Sequence, residues 1–240
     1  ASKCIADGHY GFIERDCYYP NKPTAKNKFE YYATRNQQKF VSVSNGKFGL
    51  TIANKGLPEY EIIKEKGKAV IAVTLLRSVG AISHPDLITR IGNAGPMLLA
   101  PEAQCQGDYI FEYSIIPHSA DILESKAYKT AFEFNSGLSS FNVNSNANGF
   151  LDDTQELVSI GSDNVIISSI KKSEVGENLV VRIYNPRAEV CNTTVKIFKN
   201  FRKAYLINLK EEVISELEKT DNQVAVEFGP FKIISLMFEF

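Results

Sequence analysis

KFVSVSNGKFGLTIAN, residues 39–54, decides the fold class of this chain. Apolar and polar residues alternate on both sides of Asn45-Gly46. Two alternating runs around an Asn-Gly pair are the strongest short signal for a β-hairpin. Downstream, Lys55-Gly56-Leu57-Pro58 supplies a turn, EYEII (59–63) a third run, and Lys64–Lys68, with Gly67, a charged turn before AVIAVTLL (69–76). Upstream, GHYGFIERDCYYP (8–20) and Phe29–Ala33 read as further pieces of strand.

The second half repeats the pattern. From Glu156 come ELVSI, NVIISSIKKS, NLVVRIYNP, TTVKIF and AYLINL, and the chain closes on QVAVEF, Gly229-Pro230 and FKIISLMFEF. Short strands at regular spacing with turn signals between them predict a small antiparallel sandwich. Val180, Arg182 and Tyr184 alternate with Val181 and Ile183, as on strands with one buried face. Two helical interruptions are expected. One covers Ser119–Tyr128, where Ala120, Leu123 and Ala127 share a face and Asp121 and Glu124 come early. The other is a short helical or turn segment at KEEVISELEK (210–219). The Asn/Ser/Gly-rich stretch NSGLSSFNVNSNANG (135–149) reads as an exposed loop and the best domain boundary. The fold class is all-β.

Composition narrows the function classes. The chain has 240 residues, 44% hydrophobic and 23% charged, within the range of a soluble globular protein. A net charge of −1 provides no basic field for nucleic acid and no polybasic patch for a membrane surface. The longest apolar run, Val70–Leu76 apart from Thr74, is too short to cross a bilayer. The first residues show no charged-then-apolar leader, so a cytoplasmic setting is expected. Cys4, Cys17, Cys105 and Cys191 match neither a zinc ribbon nor a CxxC pair, and buried or free thiols are expected. Asn192-Thr193-Thr194 is a lone glycosylation sequon of little weight.

The stretch with most to say about function is Val73–His118. Its middle is rich in Gly, Pro and polar residues, and it ends in a predicted strand at Tyr109–Ile116. Compact domains rarely carry so long an irregular connection unless it shapes a site or an interface. Within it, TRIGNAGP (89–96) combines two glycines that let backbone approach a ligand with an arginine fork and an asparagine amide. Such groups suit sugar hydroxyls or a carboxylate, and equally suit holding the loop in shape. His9, His84 and His118 stand far apart without metal-ligand spacing, and there is no nucleophile elbow around Ser78 or Ser83 and no P-loop. Asp86, Glu102, Asp108 and Glu112 are available as paired carboxylates, but 28 acidic residues make chance pairs inevitable. Asp152-Asp153 reads as a solvated turn.

FVSVSNGKFGLTIANKGLPEYEII (40–63), VTLLRSVGAISHPDLITRIGNAGP (73–96), PEAQCQGDYIFEYSIIPH (101–118), LVVRIYNP (179–186) and FGPFKIISLMF (228–238) together resemble the C-terminal region of glycoside hydrolase family 38. These are the α-mannosidases, and the likeness is closest to the bacterial and archaeal branch that includes mannosylglycerate hydrolases. It runs in order from about Gly11 to the last residue. The resemblance implies that residues 1–150 form part of the family's large β-sandwich, a partial supersandwich, and residues 151–240 a smaller C-terminal antiparallel β-sandwich. It implies a zinc-dependent, retaining α-mannosidase whose zinc, nucleophile and acid/base sit in an N-terminal catalytic domain that no segment here resembles. No catalytic and no metal-binding residue is therefore assigned to this stretch, which is expected to be inactive alone. Its implied role is to buttress the catalytic domain and line one side of the pocket for an α-mannoside or related glycan, with homo-oligomer contacts as a further role. The family's arginine near the active-site mouth carries over to Arg90, with Asn93 and Glu102 as weaker neighbours. The alternative is a stand-alone carbohydrate-binding or interaction β-module, which zero Trp weakens and 11 Tyr leave open.

Overall fold

The computed structural model describes residues 3–17, 34–87, 90–145, 149 and 152–240, with the side chains of 86, 87, 90 and 91 left out of that description. The strand expected at Phe29–Ala33 lies outside the described residues. The chain forms two compact units: Ala1–His9 with Ile13–Ser139, and Tyr10–Phe12 with Ser140–Phe240.

The first unit contains β1 (Lys3–Gly8), all but the first two residues of β2 (Gly11–Asp16), β3 (Arg35–Asn36), β4 (Phe40–Ser44), β5 (Phe48–Asn54), β6 (Glu59–Glu65), β7 (Lys68–Val73), β8 (Asp86–Leu87), β9 (Arg90–Ile91), β10 (Tyr113–Ser119) and α1 (Ala127–Asn135). Its main sheet has the order β10-β5-β4-β1-β2, and a second sheet the order β3-β6-β7. The Asn45-Gly46 hairpin forms as β4 and β5, with Val41 opposite Ile52 and Val43 opposite Leu50. Asn45 Oδ1 accepts the N–H groups of Lys47 and Phe48, each at 2.9 Å, which closes the turn. Lys66-Gly67 joins β6 to β7 with φ of 48° and 80°, the doubly left-handed turn that matches strand twist.

Period-two alternation then sorts the side chains of the main sheet. One face sends Cys4, Ala6, Val41 and Val43 against Tyr60 and Ile62 of the second sheet. The other face, with Phe40, Ser42, Thr51 and Ala53, packs under α1, where the Phe40 and Phe132 rings meet edge-on at 6.3 Å. The helix is displaced from its expected place at Ser119–Tyr128. Asp121 Oδ1 instead accepts the N–H groups of Leu123 and Glu124, and Ala120 and Lys126 adopt left-handed φ. The acidic residue expected in a first helical turn closes a tight turn here, and the helix waits until Ala127.

The second unit contains β11 (Val158–Ile160), β12 (Ile166–Lys172), β13 (Leu179–Tyr184), β14 (Cys191–Ile197), β15 (Lys203–Ile207), β16 (Val213–Leu217), β17 (Lys219–Thr220), β18 (Gln223–Phe228) and β19 (Ile233–Glu239). Two antiparallel sheets, β11-β14-β18-β17 and β12-β13-β19-β15-β16, share one core. Val181, Ile183, Leu236 and Phe238 meet Val195, Ile197, Val224 and Phe228, and the Phe201 and Phe238 rings cross at 5.0 Å. The all-β class is what the molecule shows.

Two local expectations change in this unit. Val213–Leu217 is a strand paired with β15, not a helical segment. Asn208 closes the preceding turn by accepting the N–H groups of Lys210 and Glu212, and β-branched Val213 and Ile214 favour extended chain. On β13, Val180 is buried as well as Val181, because Val180 packs with Ile207 and Met237 on the opposite side of the sheet.

Candidate functional site: the arm at residues 79–103

The long connection is an arm of the first unit rather than a shapeless loop. Its two sides run antiparallel. Val79 N–H donates to the Ala103 carbonyl at 3.0 Å, Ala100 N–H to Gly80 at 3.0 Å, and Ile82 N–H to Leu98 at 2.9 Å. Ala81 and Leu99 form an isolated bridge between these bonds. Further out, β8 pairs with β9, Leu87 opposite Arg90, and Gly92 N–H donates to the Pro85 carbonyl at 2.8 Å. The ladder stays irregular because Pro85, Pro96 and Pro101 contribute no N–H groups.

Arg90 lies in β9 near the tip of this arm. Gly92, with φ of 92°, turns the chain there, a backbone conformation that side-chain-bearing residues rarely adopt. Asn93 follows and is exposed. Glu102 is exposed too, but belongs to the 3-10 turn Pro101–Gln104 at the base of the arm, where its carbonyl accepts Cys105 N–H. The arm thus brings Arg90 and Asn93 close in sequence to one bend. Glu102 stands at the other end of the ladder. Along the arm, Ile82 is 71% exposed and Leu99 81%, with Met97 and Leu98 also exposed.

A second polar cluster was invisible in the sequence. His118 Nε2 lies 3.0 Å from Thr51 Oγ1 and 3.3 Å from Ser42 Oγ, and Nδ1 lies 3.2 Å from Ser125 Oγ. A hydroxyl beside an imidazole is the element of a nucleophilic site. Here, however, Thr51 donates its hydroxyl proton to Ser42 Oγ, and the other ring nitrogen faces the Ser125 hydroxyl and the Ser119 carbonyl instead of an orienting carboxylate. The cluster joins β4, β5 and β10 to the turn before α1. Nothing in the sequence signals it, since the partners are brought together by register alone.

Asp7 is the buried carboxyl that stands out. Burial pushes it up to about 6, opposed by the Lys39 ammonium and by the Lys39 backbone N–H on its Oδ2. Lys39 in turn places its ammonium 4.0 Å from the Phe132 ring centre. The four cysteines are free thiols, and burial holds Cys17 up at about 12, far from the depressed values of reactive cysteines. Among the described residues, no group of three His, Cys, Asp or Glu side chains could hold a metal ion, and no helix is long and apolar enough to span a membrane. An open cleft of about 480 Å³ lies on the first unit between Lys3, Glu14, Ser42, Asn45 and Asp121.

Residues 164–236 match the glycosyl hydrolases family 38 C-terminal beta sandwich domain. This region covers β12–β18 and the first part of β19. Over nearly its whole length the chain is similar to proteins of glycoside hydrolase family 38. Over 234 residues it is 32% identical to a putative mannosylglycerate hydrolase of Halalkalibacterium halodurans, covering 98% of this chain and 24% of that protein. Alpha-mannosidase G of Dictyostelium discoideum is 24% identical over 237 residues, 95% of this chain and 19% of its own. The structure of an alpha-mannosidase from Enterococcus faecalis V583 superposes with a TM-score of 0.73 at 25% identity, covering all of this chain and 24% of that one. A family 38 protein from Enterococcus faecalis gives 0.72 at 26% identity. The chain therefore spans about a fifth to a quarter of the length of the relatives it matches. The zinc that the family resemblance implies finds no ligand set among the described residues.

Proposed function

We propose that this chain is the non-catalytic C-terminal portion of a zinc-dependent, retaining α-mannosidase, in which it buttresses the catalytic domain and lines one side of the sugar pocket. The observation that carries this reading is the arm. It is held out by its own backbone ladder, flanked by exposed aliphatics at Ile82, Leu98 and Leu99, and bent at Gly92 beside Arg90. An exposed apolar rim around a polar tip suits a contact with another protein surface near a polar ligand. In this reading the zinc and the carboxylates of the double displacement belong to the catalytic domain, outside this chain. The part played here is positioning. The Arg90 guanidinium offers a planar fork of donors to sugar hydroxyls, with the Asn93 amide beside it in sequence. Binding energy from such a contact helps hold the mannoside where it can react. Glu102, at the base of the arm, is the weaker candidate for sugar contact, and homo-oligomer contacts and a cytoplasmic setting complete the proposal.

A stand-alone carbohydrate-binding module is the competing reading. The cleft near Ser42 has no aromatic ring among its lining residues, so it lacks the stacking platform such modules use. The test is hydrolysis of an aryl α-mannoside. The 240-residue chain should be silent with or without zinc, while a polypeptide joining it to a family 38 catalytic domain should turn over and lose efficiency on Arg90→Ala. Zinc-dependent turnover by the chain alone, or unchanged kinetics of the variant, would overturn the proposal.

A further inference from the structure

The main sheet of the first unit is wider than the sheet packed on it. Three strands, β3, β6 and β7, cover the half built from β1 and β4, where Ala6 and Val41 are fully buried and Val43 nearly so. The same face continues onto β5 and β10. Register places Leu50 beside Val43, Pro117 beside Leu50, and Ile115 beside Ile52. There the burial stops: Phe48 is 72% exposed, Ile115 60% and Tyr113 57%. On these two strands the face carries no charged side chain, and Phe48, Leu50, Tyr113 and Ile115 all open to solvent. Isolated exposed apolar residues are ordinary, but a contiguous uncharged stretch on a sheet face marks a contact surface.

Two further observations point to its occupant. A sugar requires a dense set of hydrogen-bond partners, whereas the exposed side chains of this stretch, Phe48, Leu50, Tyr113 and Ile115, offer only the Tyr113 hydroxyl. And this chain spans about a quarter of the length of these relatives, so a polypeptide of that length holds about three times as much further protein to cover it. We propose that the β5–β10 face docks, as a dry apolar contact, against the remainder of the same family 38 polypeptide. This inference rests on reading the chain as a portion that buttresses a catalytic domain. It goes further by naming the face, distinct in sequence from the Arg90 arm.

The test compares Leu50→Lys, Ile115→Lys and the milder Ile115→Thr in the 240-residue chain and in the polypeptide that joins it to the catalytic domain. In the chain alone, thermal unfolding should stay nearly unchanged for the two Ile115 variants, because that side chain is 60% exposed, and fall modestly for Leu50→Lys, whose side chain is 37% exposed. In the joined polypeptide, both lysine variants should unfold several degrees lower and be cut by trypsin about tenfold faster, with Ile115→Thr in between. An unaffected joined polypeptide would overturn the proposal. So would a chain that sediments alone as a dimer and that Ile115→Lys converts to monomer, since the occupant would then be a second copy. A chain that unfolds on Ile115→Thr would overturn it too, by placing the residue in its own core. Unchanged mannoside kinetics in Arg90→Ala would refute the role of the arm and leave these outcomes where they stand.

Discussion

The imidazole of His118 lies flat against Gly49: a Cβ atom added at Gly49 would fall 2.0 Å from His118 Cε1 and 2.6 Å from Nδ1. The two residues face each other across β5 and β10. The ring cannot simply swing away, because Thr51, Ser42 and Ser125 hold both its nitrogens.

Gly49→Ala should therefore lower the stability of the chain by about 1–3 kcal/mol, the usual cost of overpacking a well-filled site. His118→Ala vacates the space, so the double variant should recover most of the alanine penalty. Urea unfolding of the two single variants and the pair checks this, and strictly additive losses would show that ring and glycine do not interact.

Asp7 makes stability depend on pH. Its carboxyl is raised in the folded chain from 3.8 to about 6, mainly by burial. A raised folded value means that its contribution is fully present below the unfolded value and is lost as pH rises through about 6. Stability should therefore fall across roughly pH 4–6, by an amount on the order of 3 kcal/mol at most. Asp7→Asn keeps an oxygen to accept the Lys39 N–H and removes the titration. Denaturant unfolding at a series of pH values should show that segment of the slope flattened in the variant, and an unchanged slope would assign the effect to another group.

Phe201 anchors the core of the second unit, fully buried against Phe238 and with the Lys219 ammonium 4.9 Å from its ring centre. Phe201→Ala should cost about 3–5 kcal/mol, the transfer term plus a cavity. Calorimetry would register a lower Tm. A change below about 1 kcal/mol would mean that the neighbouring side chains collapse into the space.

At the arm, Gly92 holds a φ of 92° that alanine adopts only under strain. Gly92→Ala should leave global stability nearly unchanged and speed amide exchange at position 92 and in β9, since the N–H at position 92 bonds to the Pro85 carbonyl. In a polypeptide carrying the catalytic domain, Arg90→Ala should lower kcat/KM on aryl α-mannosides about tenfold or more, the scale of one lost charge-assisted contact.

The strands were legible because their cause is local. Alternation around Asn45-Gly46 and along Cys191–Ile197 shows in the residues themselves, and so do the motifs shared with family 38. The short segments were harder. Ser119–Tyr128 has the acidic start and apolar spacing of a helix, yet Asp121 serves a turn and α1 begins at Ala127. Lys210–Lys219 reads as helical or turn, yet its second half completes the edge of a sheet. In both, a hydrogen bond to a particular neighbour outweighed a weak intrinsic preference.

By itself the sequence determined that this chain is all-β, where its main hairpins turn, and which family it resembles. Side-chain period and turn chemistry act within a few residues of each other, and the family motifs are sequence. Only the tertiary structure decided that His118 would rest on Gly49, that Asp7 would lie buried beside Lys39, and that the long connection would close into a ladder with Gly92 at its bend. Those outcomes depend on strand register and on which face another layer covers. Both are set by contacts between residues tens of positions apart, where no local pattern reaches.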